Sequence, residues 1–232
     1  MSKEIKILAL IVLVVAIVAV LGANYYRKAM ESAPVIVNKN NNSGKKSSIS
    51  PETLVRPDSA TLGVPDAPVT LVEFLDPECE ACAAFSPVVK KILKDYDPKV
   101  RLVVRYMPLH PNSLRAATLT EAAGEQGKYW EMQELLFKRH AEWGERHGAP
   151  PTAQPQNIDT LFEKYAMELG LDVEKVNDAI RENRYQAKLE RDRRDGQTLG
   201  VRKTPSFFVN GRMLMRFGEY DLRALIEDEL KK

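Results

Sequence analysis

Cysteine and histidine are scarce in this chain of 232 residues, which contains two cysteines and three histidines. Two cysteines are too few for a disulfide-stapled scaffold and are half the number that a four-cysteine zinc site requires. The cysteines and histidines do not follow the spacing of zinc ligands, so a metal ion would need ligands from outside the chain. We therefore predict no resident metal and no cofactor.

Net charge is also close to zero, at +2 with a pI near 8.4. Nucleic-acid-binding domains usually carry a concentrated basic face, so we predict no nucleic-acid partner. The composition, with 44% hydrophobic and 28% charged residues, fits one globular domain plus an appendage.

The appendage is N-terminal, where residues 7–23 form an unbroken apolar run between Lys6 and Arg27. At a rise of ~1.5 Å per residue the run spans ~26 Å, close to the thickness of a bilayer core. Cleavable signal peptides have shorter apolar regions, of about 7–15 residues. We predict that residues 1–28 are a retained membrane anchor, with a cleaved signal peptide and a buried soluble helix as alternatives.

The charges beside this run do not decide its orientation, because basic residues lie on both sides. Long domains are translocated largely regardless of charge, so we expect the domain behind the run to face the periplasm or the extracellular side. Residues 29–59 are rich in Asn, Ser and Lys without apolar periodicity and predict a flexible linker. The folded domain is predicted to cover residues 60–232.

The domain opens with a strand–helix–strand pattern. Residues 69–75 are mostly apolar and typical of a strand, and apolar residues at helical spacing follow as far as about Tyr96. Residues 100–107 are rich in β-branched residues and predict a second strand. Together they predict a βαβ unit with parallel strands.

Helical periodicity dominates residues 113–199, which we predict to be an insertion of three or four helices. Gly196 or Gly200 is expected to end the last of them. The rest of the chain is predicted to form a strand, a two-residue turn, a return strand and a helix, at residues 206–209, 210–211, 212–217 and 220–230.

The motif Cys79-Glu80-Ala81-Cys82 stands where the first strand gives way to the helix. A cysteine at a helix N-terminus lies beside free backbone N–H groups and the positive end of the helix dipole, which stabilise a thiolate. Thiolates attack disulfides, so the motif favours thiol–disulfide exchange. A Cu(I)-handling protein that binds the metal through both thiolates, and a binding module with an inert disulfide, remain alternatives.

The cysteine motif, the helical insertion and a later Thr204-Pro205 pair that leads into a hairpin together resemble the thioredoxin fold in its DsbA-like form. The resemblance implies an α/β thioredoxin fold with a helical insertion and protein thiol–disulfide oxidoreductase activity. It implies that Cys79 is the exposed nucleophile and Cys82 its buried partner. It also implies that the peptide before Pro205 is cis and that the Thr204 backbone pairs with an extended substrate.

The same resemblance implies partners. Exported cysteine-containing proteins would be the substrates, and a membrane redox partner would restore the cysteine pair. Whether the pair donates, reduces or isomerises disulfides stays open.

Glu80 departs from the family pattern, since the strongly oxidising DsbA has a histidine between its cysteines. A carboxylate ~7 Å from the sulfur, at an effective dielectric of ~40, disfavours the thiolate by ~1 kcal/mol, about what the helix N-terminus contributes in its favour. We therefore predict that Glu80 modulates the pKa of Cys79, leaving it moderately acidified and the couple less oxidising than that of DsbA. The alternative is that Glu80 points into water and has little effect.

The three histidines carry weaker signals. His110 follows the second strand at the edge of the sheet where active sites gather, but its proline-flanked loop favours a structural role. His140 and His147 are predicted to be helix-end and loop residues, and Tyr129 and Trp130 to belong to the core.

Overall fold

The computed structural model of this chain describes residues 51–145 and 157–232. The predicted anchor, most of the predicted linker and His147 lie outside these residues. Within them, no helix is long and apolar enough to cross a bilayer.

The described residues form nine helices and five strands. In chain order these are α1 Pro51–Leu54, β1 Thr61–Leu62, β2 Val69–Leu75, α2 Glu80–Asp95, β3 Val100–Tyr106, α3 Ser113–Glu125, α4 Tyr129–Lys138, α5 His140–Trp143, α6 Ile158–Glu168, α7 Val173–Arg181, α8 Gln186–Thr198, β4 Ser206–Val209, β5 Arg212–Met213 and α9 Glu219–Leu230.

The strands form one sheet in the order β1-β3-β2-β4-β5. Strands β2 and β3 pair in parallel across the crossover helix α2, which confirms the predicted βαβ unit. The other three pairings are antiparallel. The carboxyl ends of β2 and β3 therefore lie at the same edge of the sheet, and the cysteine motif starts there.

Strand β2 is covered on both faces, which explains why its sequence is mostly apolar. Leu71 and Leu75 pack in the main core with α2 and α9, whereas Val72 and Phe74 pack in a second cluster on the opposite face. Because side chains alternate along a strand, Glu73 falls in the row of Leu71 and Leu75, beneath α2.

The helical block has its own core, which is built by α3 to α7. Six helices, α3 to α8, occur among the described residues of the predicted insertion, rather than three or four. Short helices in close succession explain the difference, since α5 has 4 residues and is separated from α4 by the single residue Arg139. Tyr129 and Trp130 are partly buried against the main core, as predicted.

Two glycines near the end of α8 have different roles. Gly200 follows the helix with φ +84°, a left-handed conformation that suits glycine and ends the helix. Gly196 lies inside α8, where a Cβ atom would come within 3.1 Å of the Phe74 ring. Gly196 therefore allows α8 to approach the sheet closely and does not end the helix.

The return strand is shorter than predicted, since β5 covers only Arg212–Met213. One further backbone hydrogen bond, from Leu214 N to Phe207 O at 2.8 Å, continues the pairing before the chain turns away. The departing segment carries exposed Met215 and Phe217 past the cysteine helix.

The folded unit also begins earlier than the predicted boundary at residue 60. Leu54 is buried in the second core cluster, and the Arg105 guanidinium donates to the carbonyl oxygens of Thr53 and Leu54 at 2.7 and 2.9 Å. The C-terminal end of the predicted linker is therefore part of the domain. The polar, aperiodic sequence of this segment does not predict the contact, because the contact depends on Arg105, which is distant in the chain.

Candidate active site

Cys79 is the N-cap residue of α2, with extended backbone angles of φ −73° and ψ 120°. Its side chain is buried, at 7% exposure, and therefore less open than the exposed nucleophile that the family resemblance implies. Cys82 lies one turn further along α2 and is fully buried. Both cysteines are free thiols.

The environment of Cys79 lowers the pKa of its thiol to about 5. The largest cause is a hydrogen bond from Cys82, followed in the same direction by the Thr204 side chain and the backbone N–H groups of Cys82 and Ala81, against the opposing effect of burial. A charge at this position is therefore stabilised by hydrogen bonds that a thiolate accepts more strongly than a thiol.

The pKa of Cys82 is shifted in the opposite direction. Burial raises the pKa of its thiol well above the usual value, and the hydrogen bond to Cys79 and the negative charges of Cys79 and Glu73 raise it further. At neutral pH the pair thus holds one thiolate on Cys79 and one proton on Cys82.

Glu80, predicted to oppose this charge, has an exposed side chain at the first position of α2. The thiol of Cys79 is more acidic than the moderate value expected from a nearby carboxylate. The hydrogen bonds from Cys82, Thr204 and the α2 backbone account for the difference, and they depend on tertiary structure.

Thr204 and Pro205 lie directly beside the nucleophile. The peptide bond between them is cis, as the family resemblance implies. The Cys79 sulfur is 3.4 Å from the carbonyl oxygen of Thr204. The fold therefore brings together two motifs that are far apart in the sequence.

Glu73 is a buried carboxylic acid close to the pair, and its side chain is 4% exposed. Burial is the main reason that its pKa rises to about 8, and the negative charge of Cys79 adds to the rise. Sequence reasoning missed this residue, although a single carboxylate inside an otherwise apolar strand just before the cysteine motif was an available signal.

Asp76 anchors the loop between β2 and Cys79. Its fully buried carboxylate accepts hydrogen bonds from the Glu78 N–H at 2.9 Å, the Leu109 N–H at 2.7 Å and the His110 Nδ1 at 2.7 Å. Its carbonyl oxygen accepts the Cys79 N–H at 3.1 Å. The loop that follows β3 is thereby tied to the backbone of the nucleophile.

Glu78 makes the corresponding contact on the other side of this loop. Its carboxylate accepts the Asn112 N–H at 2.5 Å and the Asn112 side-chain amide at 2.9 Å. The ring Nε2 of buried His140, the first residue of α5, lies 2.6 Å from the Glu78 carbonyl oxygen. Hydrogen bonds of Asp76, Glu78 and His140 therefore hold the loop between β2 and Cys79 in place.

His110 thus has the structural contacts expected of it, and it also belongs to the electrostatic surroundings of the cysteine. Partial burial lowers the pKa of His110, but the Asp76 hydrogen bond and the charges of Asp76, Cys79 and Glu78 outweigh this effect and raise it. Among the residues that the structure describes, no three His, Cys, Asp or Glu side chains are placed to share a metal ion.

Comparison with known proteins places this arrangement in a family. The family described as thioredoxin matches residues 56–228. The chain is 36% identical to the Na(+)/H(+) antiporter NhaA 3 of Salinispora tropica over 166 residues, which are 70% of this chain and 23% of the antiporter. It therefore spans about a quarter of the length of the curated relatives it matches.

Solved structures with the same fold include DsbA-like proteins. A thioredoxin-like oxidoreductase from Silicibacter pomeroyi matches with a TM-score of 0.64 and 30% identity, over 78% of this chain and 98% of that one. Alpha-DsbA1 from Wolbachia pipientis shares the fold, with a TM-score of 0.64 and 22% identity over 77% of this chain and 94% of that one. The chain therefore belongs to the thioredoxin family, with DsbA-like structural neighbours.

Proposed function

We propose that this protein is a thiol–disulfide oxidoreductase whose reacting pair is Cys79 and Cys82. The observation that supports this best is the division of charge within the pair, since the pKa of Cys79 is lowered to about 5 and that of Cys82 is raised. An inert structural pair has no need of a stabilised thiolate, whereas exchange requires one as attacking or leaving group.

The proposed exchange starts from the disulfide form. A substrate thiolate attacks the Cys79 sulfur, the bond between the two cysteines breaks, and its electron pair leaves on Cys82, which takes a proton. A second substrate thiolate then attacks the substrate sulfur of the mixed disulfide and releases Cys79 as a thiolate. The substrate has lost two electrons and gained a disulfide, and the cysteine pair has been reduced.

Glu73 is the proposed source of the proton for Cys82. Its pKa is about 8 in the reduced form, and burial, the main cause, also favours the protonated acid in the disulfide form, where Cys79 carries no charge. In the reverse direction the Glu73 carboxylate would accept the Cys82 proton. Once Cys79 is held in a mixed disulfide its negative charge is gone, so Glu73 ionises more readily at the moment when a base is needed.

The acidity of Cys79 also supports a direction. A stabilised thiolate stabilises the reduced form and makes the disulfide form a stronger oxidant. We therefore propose disulfide donation as the main activity, which is a more oxidising role than Glu80 alone would predict.

The setting of the reaction is proposed from the sequence. The apolar run at residues 7–23 would anchor the chain, and the domain would face the periplasm or the extracellular side, where it would act on exported proteins. A membrane redox partner would reoxidise the pair. Extraction of membranes with alkaline carbonate and protease treatment of intact cells would test the anchor and its orientation.

The function itself is tested by equilibrating the chain with glutathione and measuring the reduction potential. A disulfide donor should lie nearer to the value of about −120 mV typical of DsbA than to about −270 mV for thioredoxin. The Cys79→Ser variant should not oxidise a reduced two-cysteine peptide, and Cys82→Ser, given the disulfide form of that peptide, should accumulate a mixed disulfide at Cys79. A potential below about −195 mV, the midpoint of these two values, would refute donation, and an unreactive pair would refute exchange altogether.

Cu(I) handling was the alternative from sequence, and nothing among the described residues favours it. Copper titration of the reduced chain remains the direct test.

A further inference from the structure

A cleft of about 220 Å³ opens beside Pro205. One wall is the segment that precedes Thr204, and the other is the end of the β4–β5 hairpin with the segment that leaves it. The lining residues include Arg202 and Lys203 on the first wall and Met215 and Phe217 on the second. No carboxylate is among them, so the cleft is apolar within and cationic at one rim.

The two rim cations, Arg202 and Lys203, are exposed. No Asp or Glu of the described residues lies within 4.0 Å of either side-chain nitrogen group, and Arg202 makes only a long hydrogen bond, at 3.4 Å, to the Gln197 carbonyl. The arginines on the nearby hairpin differ. Arg212 is paired with Glu229 at 2.7 Å and Arg216 with Asp221 at 2.6 Å.

The apolar wall is unusually open. Met215 is 85% exposed and Phe217 is 48% exposed. Phe217 is held in place by Phe85 of α2, with ring centroids 4.6 Å apart, so the wall is fixed to the cysteine helix. A flexible methionine beside a fixed aromatic ring suits side chains of varied shape.

The cleft is within reach of a substrate bound to Cys79. Thr204, whose carbonyl oxygen is 3.4 Å from the Cys79 sulfur, is the next residue after Lys203. An extended chain advances ~3.3 Å per residue, so a segment lying along Thr204 would bring side chains two or three positions from its cysteine, ~7–10 Å away, to the rim and the wall.

We propose that this cleft selects extended substrate segments that carry an acidic side chain and an apolar side chain within a few residues of the reacting cysteine. The acidic group would meet Arg202 and Lys203, and the apolar group would lie against Met215 and Phe217. The proposal rests on the oxidoreductase function above and specifies its substrates. Because a charge contact at an open rim acts mainly on encounter, the selection should weaken as salt is added.

The test compares the rates at which three cysteine peptides reduce the disulfide form of the full chain in a zwitterionic detergent. The peptides share a leucine near the cysteine and differ at one position, which is Glu, Gln or Lys. Each rate is divided by the rate of the same peptide with an aromatic disulfide reagent, because the flanking charge alters the reactivity of the peptide thiol itself. We expect the Glu peptide to react about fivefold to tenfold faster than the Lys peptide at low salt.

Variants assign this preference to the rim. The double variant Arg202→Gln with Lys203→Gln should bring the ratio close to one, and the double variant to Glu should invert it. Lys164→Glu is the matched control, since Lys164 is an exposed lysine on α6, far along the chain from the cleft, and should leave the ratio unchanged.

Each remaining outcome counts against the proposal. Equal normalised rates for the three peptides, or a Glu preference that survives in the double Glu variant, would overturn it while leaving the oxidoreductase function intact. Failure of all three peptides to react would instead refute the function. If added phosphatidylglycerol changes the rates through Arg202 and Lys203 while peptide charge does not, the rim binds an anionic membrane surface and the proposal is wrong.

Discussion

The domain contains buried acidic side chains in two regions, which differ in whether a basic side chain lies beside the carboxyl group. Asp192 of α8 is fully buried and accepts hydrogen bonds from Arg105 at 2.9 Å, from the Tyr106 N–H at 3.2 Å and from Arg191 at 3.3 Å. Glu73 of β2 is almost as deeply buried, but no basic side chain of the described residues lies within ion-pair distance of it. The first carboxylate lies among cations, whereas the second has none beside it among the described residues and is held as an acid with a pKa of about 8.

This difference separates a structural role from a chemical one. Around Asp192, Arg105 also contacts Asp195 at 2.6 Å, and Asp195 in turn pairs with Arg56 at 2.9 Å. The network joins β3, α8 and the N-terminal end of the domain. A paired buried charge resists change, because removing either partner leaves the other uncompensated. An unpaired buried acid is held neutral because burial disfavours its charge, and a pKa of about 8, close to neutral pH, suits it to move a proton.

The largest expected effect comes from breaking the paired region. Arg105→Leu should lower the free energy of unfolding by ~3–5 kcal/mol, because it leaves the fully buried Asp192 without its main cation. Urea unfolding measures this, with Asp58→Asn as the control. Asp58 pairs with Arg191 at an exposed site, so its loss should cost below ~1 kcal/mol. Equal costs for the two variants would contradict the distinction, as would a changed alkylation rate of Cys79 in the folded Arg105 variant.

Removing the unpaired carboxyl group of Glu73 should slow the exchange reaction and leave the free energy of unfolding little changed. Glu73→Gln should slow the step in which Cys82 resolves a mixed disulfide by ~100-fold, since an aligned acid or base contributes at least that factor. Rapid quenching followed by mass measurement of the mixed disulfide isolates this step. Cys79 alkylation should remain fast, and an unchanged resolution rate would remove Glu73 from the mechanism.

The same variant should also change how stability depends on pH. Between about pH 4.5 and 8 Glu73 is protonated in the folded protein and ionised in the unfolded chain, so its contribution to stability falls as pH rises through this window. Cys79, with a lowered pKa, contributes in the opposite sense. The difference between wild type and Glu73→Gln isolates the contribution of Glu73 together with its coupling to the cysteines, and it should slope mainly within this window.

The two regions were not equally visible in the sequence. The order of strands and helices followed from apolar periodicity, and the cysteine pair followed from a motif, because both signals are local. Glu73 lies in a strand whose apolar residues predict that the strand is buried, but they do not predict a chemical role for Glu73. Asp76, Glu78 and the Arg105 network depend on loops and helices that meet only in the fold, and their residue types are equally common on solvated surfaces. The wrong boundary at residue 60 has the same origin, since only Arg105 shows that the segment before it is anchored.

His110 tests how far the surroundings of Cys79 extend beyond direct hydrogen bonds. Its protonated ring, held by Asp76, favours the nearby thiolate, so His110→Gln should raise the pKa of Cys79 by ~0.5–1 unit. Iodoacetamide reactivity across pH measures the shift. The raised pKa of His110 means that its contribution to stability is complete below about pH 6.5 and is lost as pH rises through the folded value. An unchanged Cys79 pKa would confine His110 to a structural role.

Glu80→Gln should change the pKa of Cys79 least among these variants, and it serves as the control for the contrast between buried and exposed charges. Removing its charge favours the thiolate, so Glu80→Gln should lower the pKa of Cys79, the opposite direction to His110→Gln. Because Glu80 is exposed, water and salt screen it, and the shift should stay below ~0.3 unit and vanish at high salt. The same alkylation series measures it. A shift of a full unit in the pKa of Cys79 would mean that the exposed Glu80 carboxylate affects the thiol more than the buried groups do. The prediction made from the sequence would then be right. The contrast between buried and exposed charge, on which the assignment of Glu73 depends, would be wrong.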